Sequence, residues 1–289
     1  MLALIAVAAP HATAQRGRGA GAAPPSPQAA APIDLTGYWV SIVTEDWRWR
    51  MVTPPKGDYE SIGNLMTPAA RKIADAWDPT EDGSCLAYGA AALMRMPTRL
   101  HITWDGERTL VIETDAGQQR RVLLFDRPAE PGPRSLQGLS IAEWDRFPAG
   151  RGARGGGPAG GRGGPDAAPP GATAPAGGRG DADAAPRGGG PAGGRGAPDA
   201  APRGGSLKVV TTNLSGGWLR RNGVPYSAET TVTEHFDRFS APGGHEWLVV
   251  TTIVSDPTFL TQEFITSTQF RREADGAAKW EPSPCIPPR

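Results

Sequence analysis

Residues 99–126 read RLHITWDGERTLVIETDAGQQRRVLLFD, and this stretch decides the fold class. Three runs rich in Leu, Ile, Val and Thr, Arg99–Trp104, Thr109–Thr114 and Gln119–Asp126, are separated by Asp105-Gly106 and by Asp115-Ala116-Gly117. Glycine after a polar residue supplies the positive φ of a tight turn. Connections this short join antiparallel strands, because a parallel pair needs a crossover of a dozen residues or more. The stretch therefore reads as an antiparallel meander.

Working outward, the same pattern recurs at Leu139–Trp144, Leu207–Leu214, Glu229–Phe239, Trp247–Val254 and Glu263–Arg272, with turns at Gly216-Gly217 and Pro242-Gly243-Gly244. Upstream, Tyr38, Val40 and Ile42 alternate with Trp39, Ser41 and Val43. The alternation continues through Trp47-Arg48-Trp49-Arg50 until Pro54-Pro55-Lys56-Gly57 breaks it. One helix is predicted over Thr67–Trp77, with Thr67 as cap, Pro68 in the first turn, and Ala70, Ile73, Ala74 and Trp77 on one face. A second short helix is expected over Ala87–Met94. The sum is a mainly β domain with a short helical excursion, closing as a barrel or stacking as a sandwich. A barrel has the advantage of leaving no open edge strand.

Glycine and proline, 39 and 30 in number, concentrate before Pro32 and between Pro148 and Gly205. Apart from those stretches about 200 residues remain, enough for one core. Met1–Ala9 is apolar and Ala12-Thr13-Ala14 places small residues at a cleavage site, so 1–14 reads as a signal peptide lacking a basic start. That apolar run is too short to span a bilayer, so no membrane-spanning segment is expected. Residues 15–32 read as a disordered linker, and 148–205 as a disordered insert carrying GGGPAGGRG twice, at 155–163 and 188–196. The insert lies between two strands that read as arms of one hairpin, where chain length costs little. The folded domain is then 33–147 with 206–289.

Lys and Arg total 30, as do Asp and Glu, so the chain lacks the basic excess of a nucleic-acid binder. In an exported chain the two cysteines, Cys85 and Cys285, are expected to pair as a disulfide. No zinc spacing, serine-hydrolase elbow, phosphate loop or dinucleotide fingerprint is present, and no metal or cofactor is expected.

Short motifs carry a family resemblance. Gln137–Trp144, Gly223-Val224-Pro225-Tyr226-Ser227, Val232-Thr233-Glu234-His235-Phe236 and Asp256-Pro257 resemble a broad group of exported bacterial β-sheet proteins of unassigned activity. The resemblance implies fold and export but no reaction. That group usually has His where this chain has Tyr226. Gly37-Tyr38-Trp39 is similar to the Gly-x-Trp of lipocalin-like barrels, which implies a tryptophan plugging one barrel end and a cavity for one small ligand.

Three sets of residues carry candidate chemistry. Glu234 shares its strand face with Val232 and Phe236, the core side, and is either a general base or the partner of an inward arginine. Tyr226 and His235 are its candidate catalytic neighbours. Trp47, Arg48, Trp49 and Arg50, read as a strand, put two indoles on one face and two guanidiniums on the other: either the indoles line an aromatic pocket and the arginines grip an anion, or the Trp pair closes the core and both arginines meet solvent. His101 and His245 read as structural or solvent-facing. Two functions follow: an exported barrel that binds a small apolar or anionic molecule or is purely structural, and an isomerase, lyase or hydrolase on the same barrel using Glu234.

Overall fold

The computed structural model describes residues 23–128, 130–146 and 205–289. Nine strands form a closed barrel: β1 Gly37–Ile42, β2 Arg99–Trp104, β3 Thr109–Thr114, β4 Arg120–Leu124, β5 Leu139–Arg146, β6 Gly205–Thr212, β7 Thr231–Ser240, β8 Glu246–Ser255 and β9 Phe264–Arg272. Neighbours in the sheet are neighbours in sequence, and β1 closes the ring against both β2 and β9. The sheet is mixed, which corrects the purely antiparallel meander: β4 and β5 run parallel, with Leu123 opposite Ser140. An all-antiparallel ring needs an even number of strands, so nine close only because this one pair is parallel. Residues 125–138 provide the long connection that such a pair requires.

Strand alternation fills the interior with one apolar cluster that includes Trp39, Leu100, Ile112, Phe236, Val250 and Phe270. Trp39 is fully buried, and its indole N–H donates to Leu35 O at 2.9 Å. A second cluster, including Ile62, Ala70, Ala74, Leu219, Tyr226 and Val232, lies where helix α1, Pro68–Ala76, packs on a two-stranded hairpin, Gly217–Arg220 with Val224–Tyr226. The start of α1 is as read: Thr67 Oγ1 accepts from Ala70 N at 3.2 Å, and Pro68 occupies the first turn. The shorter helix is split at Gly89 into a 3-10 turn, Cys85–Tyr88, and an α turn, Ala90–Leu93. Gly89 leaves no room for a side chain, because a β-carbon there would sit 1.9 Å from the Tyr226 hydroxyl.

Two further expectations change. Residues 47–50 are a single helical turn, not a strand. Residues 23–32, the second half of the expected disordered linker, lie against the barrel: Pro27 O accepts from the Trp144 indole at 2.8 Å and Gln28 N donates to Glu107 O at 3.1 Å. They sit beside an aromatic group of Trp104, Phe125 and Trp144. The expected signal peptide, residues 1–14, lies outside the described residues, as does the insert from 147 to 204. The arms of the hairpin are described and pair in unbroken register from Leu139 opposite Thr212 to Arg146 opposite Gly205. Cys85 and Cys285 form a disulfide, and beside it Ile286 O accepts from the amides of Ser84 and Cys85. No helix among the described residues is long and apolar enough to cross a membrane.

Candidate functional site

Glu234 faces inward, as its strand period requires, and is fully buried. Val232 below it belongs to the second apolar cluster and Phe236 above it to the first, so the carboxylate marks the level where the two meet. Arg121 on β4 answers it from within the barrel. Nη1 donates to Oε1 at 3.0 Å and Nη2 to Oε2 at 2.7 Å, a two-pronged ion pair with both side chains at 0% exposure. Nη2 also reaches Thr211 Oγ1 at 3.2 Å, and Ser140 Oγ lies 2.7 Å from that same hydroxyl. With Thr252 opposite Glu234 on β8, these groups make a polar belt between two apolar cores. Both oxygens of the carboxylate are engaged by one fully buried guanidinium, the arrangement of a structural ion pair rather than of a base open to substrate.

Neither of the other members of the expected catalytic set is hydrogen-bonded to Glu234. His235, the next residue in the strand, points to the outer face, where its neighbours are Lys208 and Thr251. Tyr226 is buried, and desolvation pushes its hydroxyl well above the usual phenol range. That hydroxyl has no hydrogen-bond partner among the described residues. His101 stacks on Tyr38 at 4.2 Å on the outside of the barrel, and His245 is exposed in its turn. Among the described residues no group of three His, Cys, Asp or Glu side chains is placed to hold a metal ion.

The helical turn at 47–50 rearranges its four side chains. Trp47 becomes exposed while Arg50 goes inside. Trp49 donates to Asp58 Oδ1 at 3.2 Å, and the guanidiniums of Arg48 and Arg220 lie 5.3 and 5.1 Å from its ring centre. The half-exposed indole thus has two cations of this chain against it. Arg50 meets Arg95, Arg220 and Arg221, which come from the end of the short helical segment and from the hairpin. Sequence reading missed these three. Only the Arg220-Arg221 doublet gave any local signal, and nothing in it pointed to Arg50. Arg121 was legible in principle, since it shares strand parity with inward Leu123.

A separate cleft opens beside the hairpin. Its volume is about 430 Å³, and Ile73, Leu86, Trp218, Pro225, Tyr226 and Phe259 form its apolar walls. Gly216 and Gly217 leave backbone exposed on one side, and Ser215 and Ser227 supply hydroxyls. Asp256 braces this region. Its carboxylate accepts from Ser227 and Thr230 hydroxyls and from the amides of Thr258 and Phe259. Compared with family models, with curated proteins and with solved structures, the chain matches none.

Proposed function

We propose that this chain is an exported protein that binds a small, largely apolar molecule in the cleft between α1, the 217–226 hairpin and Phe259. The observation that carries the reading is the cleft itself. Its volume falls within the roughly 300–1,000 Å³ of small-molecule sites, and it joins aromatic and aliphatic walls to a few polar groups, the pattern of such sites. The barrel lumen is a poorer candidate, since Trp39, Phe236 and Phe270 fill it and its one ion pair is closed on itself. Ligand binding is therefore assigned to the barrel's flank rather than to its interior. The Cys85–Cys285 disulfide supports an oxidising compartment, as does the apolar N-terminal run in the sequence.

The test is a titration with N-phenyl-1-naphthylamine, an uncharged apolar fluorophore whose emission rises on leaving water. A saturable rise is expected with the full chain, and Phe259→Glu should weaken it at least tenfold without changing the melting temperature by more than a few degrees. No saturable rise, or equal binding by the variant, would remove the assignment.

A further inference from the structure

Arg50 is 3% exposed, Arg220 4% and Arg95 7%, and Arg221 joins them around one small space. Four guanidiniums gathered below the surface repel one another and lose hydration, so such clusters need a counter-charge. The chain supplies little. Among the described residues the only carboxylate in ion-pair contact with any of the four is Asp46, 2.9 Å from Arg95 Nη2. Asp58 is engaged by the Trp49 indole, and Glu60 lies out on the surface opposite Arg48. Glu45 offers Arg50 its backbone carbonyl, at 3.4 Å from Nη1.

The remaining donors are spent on neutral acceptors. Arg50 Nε donates to Arg95 O at 2.8 Å, Arg220 Nη1 to Glu60 O at 2.8 Å, and Arg221 Nη2 to Arg50 O. Among the described residues, two buried donors of the cluster find no partner, Arg50 Nη2 and Arg220 Nε. Desolvation, reinforced by Arg95, pulls both Arg50 and Arg220 down to about 10, and the nearby carboxylates offset this only in part. Even so, both stay charged at neutral pH.

The space at the centre is about 10 Å³. A space this small favours a single monatomic particle over an organic acid. We propose that Arg50, Arg95, Arg220 and Arg221 form a site for a single halide ion, held by guanidinium N–H groups and enclosed by the Trp49 turn. The site stands apart from the apolar cleft. Leu219 and Arg220 of the hairpin serve the arginine cluster, and Trp218 of the same strand lines the cleft.

Thermal unfolding of the full chain in sodium chloride against sodium gluconate, at constant ionic strength, separates specific binding from screening. The midpoint should rise in chloride by about 3–5 °C for each tenfold increase above the dissociation constant, as expected for a ligand that binds only the folded state. Arg50→Met should abolish that rise. Crystals soaked in sodium bromide should show one anomalous peak among the four guanidiniums, a measurement on the unaltered chain that decides the matter if the variant does not fold. Equal midpoints in the two salts would overturn the assignment. So would bromide peaks elsewhere with none at the cluster, or a phosphate or sulfate effect that depends on Arg50 and matches that of chloride. None of these readouts involves the cleft, so the Phe259→Glu result and this one stand or fall separately.

Discussion

Replacing Glu234 by glutamine keeps the shape of the side chain and removes its charge. Arg121 would then be a fully buried cation whose nearest acceptors are the amide oxygen and the hydroxyls of Thr211 and Ser140. Breaking a buried pair from one side costs about 3–5 kcal/mol, because the surviving charge stays desolvated. For a folded region of about 200 residues, at roughly 2–4 °C per kcal/mol, the melting temperature should fall by about 6–20 °C. Urea unfolding followed by tryptophan fluorescence reads the same loss as a lower midpoint with an unchanged slope. The double replacement Arg121→Met with Glu234→Leu removes both charges and fills the belt with apolar volume. It should return stability to within about 1 kcal/mol of the parent or exceed it. A Glu234→Gln protein within about 1 kcal/mol of the parent would refute the reasoning, since it would mean that the carboxylate contributes no charge to the belt.

Three further outcomes are expected. Tyr226→Phe removes a buried hydroxyl that has no partner among the described residues, so stability should stay level or rise, and the same change should relieve part of the damage done by Gly89→Ala, both measured by thermal unfolding. Reducing the disulfide, or Cys85→Ser, releases a closure spanning 200 positions and should cost up to about 5 kcal/mol in chain-entropy terms, seen as a lower urea midpoint. Burial alone would raise the Asp256 carboxyl, but amide bonds from Ser227, Thr258 and Phe259 and the Thr230 hydroxyl outweigh it and hold the group below its ordinary value. Its stabilising contribution is thus complete above the unfolded-state value near 4 and is lost as pH falls through the lower folded value, so Asp256→Asn should flatten the acid limb of a stability–pH curve.

The barrel strands were legible because each carries a period-two pattern bounded by Gly-containing turns, and the observed β2 and β3 begin and end where the pattern does. The helix start was legible because Thr67 and Pro68 announce it through local chemistry. Trp47–Arg50 misled because four alternating residues fit one helical turn as well as a strand, and Asp46, with φ of 51°, turns the chain before the pattern can continue. The 23–32 segment misled because its composition suggests disorder while its backbone carbonyls meet donors that only the closed barrel presents. The inward Glu234 was read correctly, and one of its two expected fates, pairing with an arginine, is the one found. Beyond the Arg220-Arg221 doublet the arginine cluster had no sequence signal, because Arg50, Arg95 and Arg220 belong to segments that meet only in the tertiary fold.

The hairpin between β5 and β6 and the Cys85–Cys285 bond have a joint topological consequence. A backbone cut anywhere from 147 to 204 divides the chain into an N-terminal piece carrying five strands and Cys85, and a C-terminal piece carrying four strands and Cys285. The two pieces still share the β5–β6 ladder, the β1–β9 closure and one covalent link. Nicked there, the protein becomes a disulfide-linked heterodimer in one barrel. It would run as a single species under oxidising conditions and separate into two only when denatured and reduced.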